Sequence, residues 1–527
     1  MSGRGVIVIG GGANGLAAAT LLARAGLPVT LLERHDRVGG RARTIEFAPG
    51  FHAAPLALDS GWVPDPVARA LGIGAPARAL ESAPLRVAIE PGRRLTIPAA
   101  PAAGAEAIRG HSAADAAKWP AFATRMRALA GFLEALYLAP APDISASSPR
   151  ELWPLLDLGR RYRSLGRENM VEFLRTPPLS VMELLDDTFE SAPLKAAVAT
   201  GGILDHAQGP RSGGTGFVLL HHLVGAPAGA LRGRPAFREG PGAFARAAEG
   251  AARAAGVSIR CGAAVSAIDV ANDAVSGVVL ERGERLPARA VLSTASPATT
   301  LLEWVDPVWL DPEFIHAALN LRHRGCTAYM LCALDALPDV RDGDPAQALT
   351  GVLSLSPDPR TLEVAADAAK YGAMSEVPHV ELCVPSLHWP ALAPAGKHVL
   401  VARVQYAPYR LKPGDAWDAA RAAALTERVT RRIEEMLPGT TARIRHQVVW
   451  TPHDLERTFG LRDGASSQGE LGLDQILFMR PLAGWGGHGT PIGGLYLGGS
   501  GSHPGPGILG GAGWLAARRM IAELRKG

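Results

Sequence analysis

Gly10, Gly12 and Gly15 directly follow four branched apolar residues, Val6-Ile7-Val8-Ile9. An Ala/Leu-rich run from Leu16 to about Ala25 comes next and is closed by Gly26. A buried strand, a glycine turn and a helix in this order form a cradle for a dinucleotide. The first glycine permits the tight turn, the second lets the backbone approach a pyrophosphate, and the third lets helix and strand pack closely. The helix N-terminus at Ala13 and Asn14 offers N–H groups and a partial positive charge to phosphates. A second strand, Pro28-Val29-Thr30-Leu31-Leu32, ends in Glu33. That carboxylate stands about 20 residues after Gly15, the spacing of a group that holds an adenosine ribose, and Arg34 lies beside it.

A double glycine and an arginine follow, Gly39-Gly40-Arg41. Two glycines let the main chain pass beside a cofactor, and Arg41 supplies a fork of donors for phosphates. Here the chain resembles the phytoene desaturase-related FAD-dependent oxidoreductases of the amine oxidase and GDP-dissociation-inhibitor-like superfamily. Within it, the pattern is similar to the group with a pyridine nucleotide-disulphide oxidoreductase domain. Phe47-Ala48-Pro49-Gly50-Phe51-His52, Arg238-Glu239-Gly240-Pro241-Gly242-Ala243-Phe244, Leu471-Gly472-Leu473-Asp474-Gln475 and Arg480-Pro481 carry the likeness further. The C-terminal loop Gly498-Gly499-Ser500-Gly501-Ser502-His503-Pro504-Gly505-Pro506-Gly507 carries it almost position by position. Gln468 departs from the pattern, since many relatives have His there.

The resemblance implies an α/β fold: a Rossmann-type FAD-binding domain of glutathione reductase/amine oxidase type, with a discontinuous α+β substrate domain. Residues 1–75, 235–300 and 481–527 are expected to bind FAD. Residues 76–234 and 301–480 are expected to form the substrate domain, with a helical cap and an antiparallel sheet. The main chain at Val265 is implied to meet the adenine, and Ser293-Thr294-Ala295 to pass close to the flavin. Gly499, Ser500, Gly501, Gly507, Ile508 and Leu509 are implied to line the ribityl chain and the pyrimidine side of the ring, with a helix beginning at Ile508. Such a helix N-terminus would favour the negative charge of a reduced flavin.

The elements that must position these groups are legible in outline. A helix is expected over about Trp119–Leu138, from the stripe Phe122, Met126, Leu129, Leu133 and Leu136, then a loop over Pro140–Pro149 and a helical region over Val181–Gly201. Short strands are expected at 94–98, 257–260, 264–268, 275–280 and 290–294, the last completing a small sheet with its neighbours. Runs at 328–333, 379–384 and 398–405, with a helix over 416–436, suit an antiparallel floor under a cavity.

Length and composition narrow the function. A chain of 527 residues exceeds one compact core. Its net charge of +4, without basic runs interleaved with aromatics, argues against a nucleic-acid partner. The four cysteines, Cys261, Cys326, Cys332 and Cys383, form no Cys-x-x-Cys pair, so disulphide reduction is disfavoured and buried, reduced thiols are expected. No metal-ligand cluster stands out. With no signal-like segment and no apolar run of membrane-spanning length, a cytoplasmic protein is expected, in transient membrane contact for a lipophilic substrate.

Three readings follow. In the first, FAD exchanges a hydride with a C–C or C=C unit of an apolar, isoprenoid or carotenoid-like substrate, by desaturation, saturation or isomerisation. Electrons then leave to oxygen, a quinone or a soluble acceptor, because no second nucleotide fingerprint exists. The second is a non-covalent amine oxidase. The third is a lipid or prenyl carrier without catalysis, against which the intact fingerprint argues. His503 is the candidate general acid or base, or it shapes its loop through a main-chain hydrogen bond. Arg480 binds a substrate anion or braces the same loop.

Overall fold

The computed structural model describes residues 5–58, 61–75, 83–140, 149–226, 231, 237, 240, 242–341 and 343–526. Val6–Ile9 is buried on both faces and lies at the centre of a five-stranded parallel sheet. The strand order is Leu495–Leu497, Ala290–Ser293, Val6–Ile9, Val29–Leu32, Ser258–Arg260. Ile9 pairs with Ser293 on one side and Leu32 on the other, so the C-terminal ends of the strands are level. Three alanine-rich helices, Ala13–Arg24, Ala243–Ala254 and Gly511–Leu524, share the core on this sheet with Val67 and Phe244. Their small side chains permit close approach. Segments from the start, middle and end of the chain thus meet in one sheet.

Ala290–Ser293 therefore belongs beside Val6–Ile9, which corrects the expectation that it completes a small sheet with 275–280. Every one of its residues is buried, as a strand covered on both faces must be. The small sheet is antiparallel and is made by Val265–Ala271, Ala274–Leu280 and Arg285–Pro287.

A seven-stranded sheet forms the opposing floor, in the order Ile444–Trp450, Thr327–Leu334, His398–Gln405, His379–Cys383, Leu353–Ser354, Leu85–Glu90, Arg93–Ile97. All its pairs are antiparallel except Leu353–Ser354 with Leu85–Glu90. Ile444–Trp450 escapes a hydrophobicity reading because it is a half-exposed edge strand with polar residues at 445–447. The helix Ala419–Met436 covers one face of the sheet through Leu425, Val429, Ile433 and Met436.

The cap helix runs over Ala113–Leu138, beginning earlier than its apolar stripe suggests. Ser112 caps it by accepting from the Asp115 N–H, and Pro120, which reads as a first-turn residue, lies inside it. The region 181–201 is two helices, Val181–Asp186 and Ala192–Ile203. The last helix starts at Gly511 rather than Ile508, because Gly510 takes a left-handed conformation before it. Cys326, Cys332 and Cys383 are buried, but Cys261 is exposed, correcting the expectation of four buried thiols. Among the described residues no helix is long and apolar enough to cross a membrane. The 141–148 part of the expected loop, and Arg238, Glu239 and Pro241 of the glycine turn, lie outside the described residues.

Candidate functional site

A cleft of about 520 Å³ opens at the C-terminal ends of the parallel strands. The turn after Val6–Ile9 forms one wall. Gly10 takes φ 99°, and its N–H donates to the Leu32 carbonyl at 2.8 Å. A Cβ on Gly15 would lie 1.8 Å from the Gly10 carbonyl oxygen, so only glycine lets the helix sit this close. Gly15 accordingly supports the turn from behind and does not line the cleft. Gly10, Gly12, Ala13 and Asn14 do. No side chain caps this helix, and no acidic residue occupies its first turn, so its first N–H groups face the cleft without an anionic partner.

Glu33 is buried at the end of the neighbouring strand. Its Oε2 accepts from the Gly11 N–H at 2.8 Å and its Oε1 from the His35 N–H at 2.9 Å. Each oxygen keeps a second lone pair for a hydroxyl in the cleft. Gly39 donates its N–H to the Gly11 carbonyl, which draws Gly39-Gly40-Arg41 against the turn. Arg34 also borders the cleft, held by the Arg457 carbonyl at 3.0 Å. Val265 lines the far end, as the first residue of the small sheet.

Arg41 Nη1 donates to the Ser466 carbonyl at 2.9 Å, and Nη2 lies 3.8 Å from Asp205. Its Nε is buried with no hydrogen-bond partner. Asp205 has a left-handed backbone, φ 51°, and accepts from Ser466 Oγ at 2.6 Å and Thr327 Oγ1 at 3.1 Å. Sequence reasoning missed Asp205. It also missed Arg403, which faces the cleft while paired to buried Glu381 on the adjacent strand. The signal was present, since both charges interrupt apolar strands, and the register sets Glu381 opposite Arg403. Leu56, Leu204, His222, Phe237, Tyr329 and Leu471 also line the cleft.

From the C-terminal loop, Ser500, Gly507, Ile508 and Leu509 line the cleft. Gly499 and Gly501 do not: their Cβ positions would strike the Thr294 carbonyl at 2.5 Å and Pro297 at 2.2 Å. Gln468 links this loop to the strand end. Its Nε2 donates to the Thr294 carbonyl at 3.0 Å, and its Oε1 accepts from the Gly501 N–H at 3.1 Å.

The two residues singled out for chemistry lie behind the loop. Arg480 is fully buried and donates to the carbonyls of Ser467, Gly469, Glu470, Gln475 and Ser500. Burial pushes its guanidinium down to about 10. His503 is buried, its Nε2 lies 3.1 Å from the Ala139 carbonyl, and burial lowers it to about 4. Neither borders the cleft. Arg480 therefore braces the loop in this structure, and His503 is tied to the end of the cap helix.

The donors and acceptors along the cleft suit FAD. Helix N–H groups and the spare Arg41 Nε match a diphosphate, and the Glu33 carboxylate matches a ribose. Comparison with known proteins agrees. The model of the family "Flavin containing amine oxidoreductase" matches residues 14–521. The pyridine nucleotide-disulfide oxidoreductase domain-containing protein 2 of Rattus norvegicus is 33% identical over 558 residues, covering 98% of this chain and 93% of its own. The hydroxyneurosporene desaturase of Rhodobacter capsulatus is 29% identical over 537 residues, covering 98% of each chain. In fold, the chain is similar to the cyclohexylamine oxidase from Brevibacterium oxydans, with TM-score 0.55, 16% identity and 99% of each chain covered. It is also similar to an oxidoreductase from Methanosarcina mazei, with TM-score 0.56, 17% identity, and 99% of this chain and 100% of that chain covered. The chain thus belongs to the flavin-containing amine oxidoreductase family and is an FAD-dependent oxidoreductase.

Proposed function

We propose that the protein exchanges a hydride between FAD and a carbon–carbon bond of an apolar, isoprenoid-like substrate. One observation carries this reading: besides the nucleotide cradle, the same cleft is lined by Leu56, Leu204, Phe237, Tyr329 and Leu471. Such side chains hold an apolar chain by excluding water. The likeness over 98% of the chain to a hydroxyneurosporene desaturase supports a substrate of that kind. In this reading residues 1–75, 235–300 and 481–527 hold the cofactor, and residues 76–234 and 301–480 enclose the substrate. Glu33 would hold the adenosine ribose. Arg41 and the helix start at Ala13 would hold the diphosphate, and Ser500 and Gly507–Leu509 would lie along the flavin. When bound, FAD supplies the hydride acceptor or donor. The protein would orient the substrate and exclude water; in the desaturating direction the electrons would leave to oxygen, a quinone or a soluble acceptor.

Asp205 favours a second reading. Its carboxylate in the same cleft could hold an ammonium group, as a non-covalent amine oxidase requires. Anaerobic titration of the flavin spectrum separates the two. Bleaching by an isoprenoid and not by amines is the expected outcome. Bleaching by amines alone overturns the first reading.

A further inference from the structure

Segment Pro506–Leu509 borders the cleft but has few bonds of its own. The main chain of Trp62 holds one side of it: the Trp62 N–H donates to the Gly507 carbonyl at 2.8 Å, and the Leu509 N–H donates to the Trp62 carbonyl at 2.7 Å. A histidine buried in the helix Thr215–Leu223 holds the other. His221 Nε2 lies 2.9 Å from the Pro506 carbonyl, and His221 Nδ1 lies 2.6 Å from the Tyr137 hydroxyl at the end of the cap helix. Both side chains are buried.

The chemistry of the three groups fixes the protons. A carbonyl oxygen only accepts, so Nε2 must carry the hydrogen. In the neutral ring, Nδ1 then holds a lone pair, and Tyr137 must donate to it. The hydroxyl selects the tautomer, and the tautomer places a donor on Pro506. Arg480 donates to the Ser500 carbonyl through Nε and Nη2. Ser500 and Pro506, the two cleft-lining ends of the loop, are thus both gripped by their carbonyls from one buried cluster. The position that a Cβ on Gly505 would take lies 3.7 Å from His221 Cε1 and 3.8 Å from Arg480 Nε, between the two grips.

We infer that His221, with its tautomer set by Tyr137, is a positioning residue that holds the main chain of Pro506–Leu509 against bound FAD. The inference rests on the proposed lie of the flavin along this loop. Its test is the affinity of apo-protein for FAD, read by fluorescence quenching, together with the shape of the bound flavin's visible absorption band. H221L should weaken FAD binding about tenfold, the effect of one lost hydrogen bond, and should alter the band. H221Q keeps an N–H within reach of the Pro506 carbonyl and should remain within about threefold of the parent. Y137F should fall between them. The double variant Y137F/H221L, which removes both buried polar partners, should match H221L, and near-UV circular dichroism checks that it is folded. Unchanged FAD affinity and an unchanged band in H221L overturn the inference. So does an H221Q as poor as H221L, which would make ring packing the important property. If the parent protein itself binds no FAD, the reading of the cleft fails instead.

Discussion

The turn at Gly10–Gly15 and the loop at Gly498–Gly510 border the same cleft, and both are glycine-rich. They are held in place by different means. The first is set mainly by main-chain packing and bonds: the flanking strand and helix, the Leu32 carbonyl and the Gly11–Gly39 bond, with one side chain, the Glu33 carboxylate. The second depends mainly on buried side chains that grip its carbonyls and N–H groups: His221, Gln468, Arg480 and His488, whose Nδ1 lies 2.9 Å from the Leu497 carbonyl. A site can therefore have one half defined by local backbone geometry and the other by tertiary braces. Perturbations of the two halves should differ accordingly.

The largest effect is expected from the local half. In G15V the new Cβ would overlap the Gly10 carbonyl, and helix and strand could not pack. Loss of FAD binding, with a stability loss of at least about 4 kcal/mol, is expected in thermal or urea unfolding. A G15V protein that binds FAD normally would break the local account. Next comes R480M, which leaves five carbonyls without their shared donor. The Glu470 carbonyl keeps Gln475 Nε2 at 3.5 Å, so at roughly 1 kcal/mol for each of the four groups left unmet, about 4 kcal/mol of stability should go. Hydrogen exchange should then rise first over 467–475 and 498–507, with 6–24 still protected. Uniform loosening of both halves would erase the contrast.

The smallest effect for a single group is a pH dependence to which histidines of the second half contribute. Burial pushes His503 down to about 4 and His488 down to about 3, below the ordinary value of 6.5. Both are neutral in the folded protein near neutral pH. As pH falls below about 6.5 the unfolded chain takes up protons that the folded chain does not, so stability declines until the folded values are reached. At pH 5 the loss should be on the order of 2 kcal/mol for each histidine. A melting temperature that stays level from pH 7 to pH 5 would refute this, and H503Q should flatten the slope by its share.

The same contrast explains what could be read from the sequence. Gly10, Gly12 and Gly15 with Glu33 identify the nucleotide cradle because each constraint acts over a short stretch with a fixed spacing. The C-terminal loop was recognisable by its residues, but the purpose of His503 and Arg480 was open, since a buried brace and a reactive group use the same side chains. Asp205 was invisible because it is one acid in a turn after an apolar helix, and its Arg41 neighbour lies far away in sequence. Strand pairing decided the rest: Ala290–Ser293 reads equally well beside either sheet until its full burial is known.

The order of strands in the parallel sheet also bears on how the chain is made. The edge strand Leu495–Leu497 and the helix that packs Gly513 against Asn14 are made long after the first strand and helix that they help to cover. At about 10 residues per second, the first strand and helix wait the better part of a minute with an apolar face uncovered. Until that edge strand is made, the sheet that bears the nucleotide turn is incomplete.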